Sequence, residues 1–328
     1  MPTTSAPTLS PASQSSDASR QPRSITPRNL KTNIPWGPDL DDRHDTSEII
    51  RIYFQNVNGF RRGCNGLDIL DFFCEMKHIG ADIIAINEPN LNLRHPYIRR
   101  LFSQHQQQVW EHSKFAFSSS NIDTGLPKPG GTILGITVNL TSRVIESTAD
   151  NMGRWGSITL LGRLRAKVTV ICTYQVVDIR GASGPTTAFT QQLLMLKRQQ
   201  REHQRPGQKY QNDLRSFLES QINDDHNIVL CGDLNEELGC SAGGMTQLAS
   251  NLGLTDIHTQ ELGLDNKVAT YARGTKLLNY ILMTEQITSH TANCGAEPFN
   301  HRFYSDHRGI WVDLELLGLF DRNLPPLT

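Results

Sequence analysis

Short apolar stretches of this sequence run straight into acids and amides. "RIYFQ" leads into Asn56 and Asn58, "DIIAIN" into Glu88, and "IVLCG" into Asp233 and Asn235, while Asp306 and His307 stand just before "GIWVDL". Apolar runs of this length read as buried strands, and a strand pinned in a core carries its end residues on a rigid frame, as a reaction centre requires. Carboxylates mixed with amides suit a hard, oxygen-seeking cation such as Mg2+, which keeps several waters and takes one or two protein carboxylates. Patterns for other ligands are missing: there is no H-E-x-x-H, no paired-cysteine zinc pattern and no G-x-x-x-x-G-K-[ST] loop. "DLNEEL" puts Leu238 where a calcium loop needs its glycine. Taken singly, each Asn or Asp is explained by turn chemistry after a strand. A further oddity is "KLLNYILMT", a strand-like run that sets the neutral amide of Asn279 among apolar neighbours.

The elements that must position these residues follow from periodicity. "IIRIYFQNVNG", "ADIIAINEPN", "PKPGGTILGITVNL", "NIVLCG", "LLNYILM", "TSHTANC" and "GIWVDLEL" read as strands, and "GSITLLGRLRAKVTVICTY" as a hairpin. "LDILDFFCEM", "YIRRLFSQHQQQV", "TAFTQQLLMLKRQQREHQ" and "QNDLRSFLESQI" carry helical spacing. Their irregular order predicts an α/β chain with two sheets packed face to face and helices outside, not a regular βαβ succession. Residues 1–47 are Ser/Thr/Pro-rich and too poor in apolar groups to offset their ordering entropy, so a disordered extension is expected; their prolines count against an organelle transit helix. The globular domain is expected over 48–316, followed by a tail over 317–328.

With 328 residues and 37% hydrophobic content, the chain can bury a sizeable core. Its apolar runs are too short to span a bilayer and no leader pattern opens it, so a soluble intracellular protein, nuclear or cytoplasmic, is expected. The six cysteines lack any C-x-x-C pair, which fits free thiols in a reducing compartment. A net charge of −1 supplies no global field toward nucleic acid, so any polyanion contact must come from local arginines. Candidates are Arg61 with Arg62, Arg99 with Arg100, and Arg302 with Arg308.

In order and wording the motifs resemble those of the endonuclease/exonuclease/phosphatase superfamily, which includes apurinic endonucleases, DNase I-like nucleases, inositol polyphosphate phosphatases, sphingomyelinases and the endonuclease domains of non-LTR retroelements. "FQNVNG" is similar to its first motif, "INEPN" to its metal-carboxylate motif, "CTYQ" to its strand-end tyrosine, "CGDLNE" to its G-D-x-N motif and "YSDHRGIWVDL" to its closing S-D-H motif. The wording of "GRWGSITLLG", "GDLNE", "SDHRG" and "GLFDRNLPPL" is most similar to the retroelement branch. The resemblance implies a DNase I-like four-layer α/β sandwich of two mixed, mainly antiparallel sheets. It also implies Mg2+-dependent phosphodiester hydrolysis, with Mn2+ as substitute ion, on DNA as partner. A reverse transcriptase encoded downstream goes with it; the oligomeric state stays open, with a monomer assumed.

Carried over residue by residue, the resemblance makes Glu88 the main metal ligand, supported by Asn56 and Asp306. Asp233 orients and deprotonates the water, and Asn235 and Tyr174 hold phosphate oxygens. Asn58, Arg61, Arg62 and Arg308 are assigned to phosphate and DNA. Whether Asp233 or His307 acts as base stays open. Asn58 departs from the acid of many apurinic endonucleases, which weakens a second metal position. Asn279 stands where the family normally has the aspartate that supports the histidine, so impaired activity is expected. Two alternatives remain: a non-catalytic nucleic-acid or protein binding domain with a degenerate site, and a phosphatase or phosphodiesterase on a small phosphorylated substrate.

Overall fold

The structure, a computed structural model, describes residues 33–40, 48–60, 66–178, 184–201 and 203–321. Its strands, in chain order, are β1 (Ile49–Asn56), β2 (Ile83–Asn87), β3 (Ser113–Ser118), β4 (Thr132–Thr137), β5 (Val144–Ala149), β6 (Trp155–Leu161), β7 (Lys167–Tyr174), β8 (His226–Asp233), β9 (Leu254–Asp256), β10 (Asn279–Thr284), β11 (Thr291–Ala296) and β12 (Ile310–Glu315). They form two six-stranded sheets, ordered β11-β12-β1-β2-β4-β3 and β5-β6-β7-β8-β10-β9. As expected, the sheets are mixed and mainly antiparallel: β1 with β2 and β7 with β8 run parallel, and the other neighbours run antiparallel.

Both faces of these sheets are covered, which is why β1 and β2 are apolar without alternation. Ile52 and Phe54 of β1 point into the core between the sheets, where they meet Val170, Leu230 and Ile281. Tyr53, one residue out of phase, points the other way, to Phe72, Phe73, Met76 and Phe102. Those aromatics belong to α1 (Leu67–His78) and α2 (Pro96–Val109), the helices outside the first sheet. α3 (Ala188–Arg198) and α4 (Pro206–Asn223) follow β7, and α4 packs Tyr210, Leu214 and Leu218 against the second sheet.

The expected boundaries need correction at both ends. Within the presumed disordered extension, residues 33–40 lie against β11: Trp36 exchanges backbone hydrogen bonds with Ala296, at 2.9 and 2.8 Å, and is only 4% exposed. Composition averaged over 1–47 hid one large apolar side chain whose burial outweighs the ordering cost locally. At the other end the core continues past 316, because Leu319 and Phe320 are buried in it. Among the described residues no helix is long and apolar enough to cross a membrane. Cys172, Cys231 and Cys294 are buried and unpaired, Cys74 and Cys240 exposed and unpaired, while Cys64 lies outside the described residues.

Candidate active site

Parallel pairing brings two strands' C-terminal ends together, and each sheet does this once, near its centre. Asn56 lies in register with Asn87, and Tyr174 with Asp233, while antiparallel β10 sets its first residue, Asn279, against Asp233. The sheets are tied at this rim by Asn87, whose Nδ2 donates to the Thr173 carbonyl at 2.6 Å. Glu88, which follows Asn87, therefore starts from a clamped position. Glu88, Asn58 and Asn235 all adopt left-handed backbone, with φ of 49°, 47° and 48°. For a glutamate this conformation costs free energy and persists only where the surroundings over-determine it, a pattern concentrated at functional sites.

Asn56 is the hub. Its Nδ2 donates to Glu88 Oε1 at 2.8 Å and to Asp233 Oδ2 at 2.9 Å, while its Oδ1 accepts from the Asn58 N–H at 3.0 Å. Its amide thus serves Glu88 as a hydrogen-bonding support. Asn58 Nδ2 in turn donates to Asp306 Oδ1 at 2.9 Å. Asn235 donates its N–H to Asp233 Oδ1 at 3.1 Å and its Nδ2 to the Gln175 carbonyl at 2.7 Å. The Tyr174 hydroxyl lies close enough to Glu88 for each to perturb the other's ionisation.

Burial sets the electrostatics. It pushes the Asp233 carboxyl up to about 7, with Asp306 adding to the rise against the hydrogen bonds of Asn56 and Asn235. Desolvation also raises Glu88, opposed by Asn56 and reinforced by Asp233. Tyr174 is raised by burial and then by the Glu88 and Asp233 charges. His307 goes down because burial disfavours the imidazolium more than Asp306 and Glu88 favour it.

His307 is seated by its N–H on Ser305 Oγ (3.0 Å), and Ser305 Oγ donates to the Asn56 carbonyl at 2.6 Å. The His307 Nδ1 lies 3.2 Å from Asn279 Oδ1. The amide's orientation is fixed by its other end, because Nδ2 faces the Arg308 carbonyl at 3.4 Å. An amide oxygen only accepts, so Nδ1 carries the proton and neutral His307 presents a bare Nε2. The nearest carboxylate to the ring is Asp233, whose Oδ2 is 3.8 Å from Nδ1.

The sequence-selected acids and amides thus converge with His307 and Tyr174, but not every expectation holds. Arg308 does not face the site: it is 1% exposed and donates to the carbonyls of Ala269 (2.8 Å), Ile34 (2.7 Å) and Glu297 (3.0 Å). Burial lowers its pKa to about 10, and it serves as an internal clamp. Arg302 is likewise engaged with Glu297 and Glu75. Arg61 and Arg62 lie outside the described residues. Sequence reasoning missed Tyr271, whose ring lies over His307 with centroids 4.9 Å apart, and Arg273, whose Nη2 is 3.4 Å from Asp306 Oδ2.

Among the described residues no three His, Cys, Asp or Glu side chains form a metal-holding group. Mg2+ does not require one, since it takes few protein ligands and keeps its waters. Glu88, Asp233 and Asp306 are gathered here against the exposed Arg273 and a histidine held toward neutrality. Surplus negative charge on carboxylate oxygens is the donor chemistry a hard divalent cation fits.

No protein-family model matches the sequence, and no curated protein matches it. Solved structures do match. AP endonuclease LMAP from Leishmania major superposes with a TM-score of 0.59 at 15% identity, covering 89% of this chain and 97% of that one. The catalytic domain of Xenopus laevis APE2 gives 0.55 at 14%, covering 85% and 96%. An endonuclease/exonuclease/phosphatase family protein from Leptotrichia buccalis gives 0.50 at 16%, covering 81% and 99%. With its paired six-stranded sheets and the polar rim between them, the chain has the DNase I-like α/β sandwich fold of these structures.

Proposed function

We propose that this chain is a Mg2+-assisted phosphodiester hydrolase acting on DNA, an endonuclease of the retroelement type whose activity is limited by Asn279. The observation that carries the reading is the hydrogen-bonded chain Glu88–Asn56–Asp233, with His307 and Asp306 beside it, on a fold shared with AP endonucleases. Glu88 and Asp306 would hold the ion, with Asn56 keeping Glu88 in place. Mg2+ there would lower the pKa of a water and offset charge on the phosphoryl oxygens.

The remaining steps fall to the chain's own groups. Asp233, fixed by Asn56 and the Asn235 N–H, orients the attacking water and takes its proton. Asn235 spends one amide hydrogen on Gln175 and keeps the second for a phosphate oxygen, where charge grows in the transition state. Tyr174 borders the same position. His307 can donate to the phosphate only as imidazolium, and Asn279 supplies no charge to stabilise that form. That deficit is the feature favouring the second reading, a binding domain with a degenerate site.

Plasmid nicking and cleavage of an abasic duplex, with Mg2+, Mn2+ or EDTA, test the proposal. Wild type should nick slowly with the metals and not in EDTA, and Glu88→Ala should abolish nicking while keeping the fold. Absence of cleavage of either DNA by both wild type and Asn279→Asp would sink the hydrolase reading. The retroelement origin rests on sequence wording, and a reverse transcriptase encoded beyond Thr328 is its test.

A further inference from the structure

On the same rim as Glu88, a cleft of about 230 Å³ opens between the end of β3 and the start of α2, lined by Arg94, Arg99, Phe117, Ser119 and Asn151 among others. Ser118 is in register with Thr132, and Thr132 with Asn87, so the cleft mouth lies two strand spacings, about 10 Å, from the Glu88 position. We propose that this cleft binds a backbone phosphate of the polynucleotide substrate, on the same strand as the scissile bond and within a few nucleotides of it. The proposal rests on the nucleic-acid reading above and adds to it a second phosphate position built from different residues.

The chemistry of the lining is that of an anion site. Arg94 is exposed, and its guanidinium has no ion pair or hydrogen bond among the described residues. Arg99 is oriented by its Nε bond to the Leu93 carbonyl at 2.5 Å and by the Phe117 ring, 4.7 Å from its Cζ, while no carboxylate pairs with it. Burial and then Arg94 lower the pKa of Arg99, and the same two causes act on Lys128, whose Nζ is tied to the Ser120 carbonyl at 2.7 Å. Positive charge is therefore concentrated here with no carboxylate among the described residues paired to Arg94 or Arg99, while Asp123 offsets part of it at Lys128. Ser119, 4% exposed, has a buried hydroxyl with no partner, a cost that a bound phosphate oxygen would remove. Asp150 also lines the cleft, but its carboxylate is taken up by the Arg154 Nε and Nη2, at 2.8 and 2.9 Å, and by backbone N–H groups. A planar guanidinium set on an aromatic face, next to a second one, matches the fork geometry of a phosphate.

The test is duplex binding by fluorescence anisotropy in EDTA across a salt series, so that binding is read without cleavage. For wild type the logarithm of affinity should fall linearly with the logarithm of salt. Arg94→Glu and Arg99→Gln should each weaken binding and reduce the slope by about one, and Ser119→Ala should weaken binding with little change in slope. Arg94 makes no side-chain bond, so its variant keeps the test valid even if Arg99→Gln fails to fold. In nicking assays KM should rise more than kcat falls. A slope unchanged in both arginine variants overturns the proposal, and inorganic phosphate then shifting the Arg99 side-chain NMR signals would assign the cleft to free phosphate. Wild type that binds with the full slope but never nicks sinks the hydrolase reading and leaves the cleft standing. Wild type that nicks, with slopes unchanged in the variants, sinks the cleft alone.

Discussion

Replacing Asn279 by aspartate should raise both the basicity of His307 and the nicking rate. The new carboxylate oxygen would sit where Oδ1 now lies, 3.2 Å from His307 Nδ1. At an effective dielectric near 20, unit charges at that separation attract by roughly 5 kcal/mol. Against this stands the burial of a carboxylate at a position 1% exposed, which costs several kcal/mol, and the loss of the long Nδ2 bond to the Arg308 carbonyl, about 1 kcal/mol. The expected result is a His307 pKa raised above that of wild type, because a carboxylate then faces the imidazolium, with little net change in stability. The corresponding exchange in a serine-protease triad is worth about 10⁴ in rate. In the proposed mechanism His307 would meet a phosphate beside a carboxylate cluster, not a proton-relay nucleophile, so a gain of about tenfold to a thousandfold is expected, or roughly 1.4–4 kcal/mol off the barrier. The assays are single-turnover plasmid nicking with Mg2+ and an NMR titration of the imidazole. A raised pKa with an unchanged nicking rate would refute the idea that the amide limits the proposed activity. An unmoved pKa would refute the hydrogen-bond geometry.

Asp233 supplies a pH signature of the metal-free protein. Its folded pKa of about 7 is above the ordinary carboxylate value of 3.8, so its contribution to stability is full below pH 4 and is lost as pH rises through 7. At 1.36 kcal/mol per unit the loss is about 4 kcal/mol. Urea melts in EDTA should show that decline in wild type, and Asp233→Asn should remove it; equal slopes of stability against pH in the two proteins would contradict the burial account. Arg308→Met should cost about 2–4 kcal/mol by stranding buried carbonyl oxygens. Duplex binding should keep the same salt slope, and a slope lowered by about one would return Arg308 to the DNA-contacting set. Trp36→Ala should cost about 3–5 kcal/mol, measured by urea denaturation, and a change under about 1 kcal/mol would mean that residues 33–40 are not part of the folded unit.

How far the sequence could carry these conclusions depends on range. Apolar runs ending in polar residues are local signals, and they correctly marked Asn56, Glu88, Asp233 and His307 as strand-end groups. Which ends meet is a long-range matter: Asn56 reaches Asp233 across 177 positions, and nothing in the spacing of either motif encodes that bond. The parallel pairings that create the rim are of this kind, and only the resemblance anticipated their outcome. Elements with weak local signals were lost altogether. β5 is an edge strand of the second sheet, exposed along most of its length, and it carries no buried face for periodicity to detect.

The error at Arg308 has a different origin, because a local rule covers it. Successive residues of an extended segment point to opposite sides, and residues two apart to the same side. His307 forms a β-bridge with Tyr271, so the chain is extended there. If His307 faces the phosphate, Arg308 must face away, and it does, into the carbonyls of Ala269, Ile34 and Glu297. Motif adjacency had suggested the reverse. The rule does not reach Arg273, because the Gly274 N–H donates to the Tyr271 carbonyl at 3.1 Å and residues 271–274 form a turn; that turn is what sets Tyr271 on His307 and Arg273 near Asp306. Alternation therefore removes Arg308 from the residues that could answer to DNA, at a motif where its charge and its place beside His307 suggest the opposite.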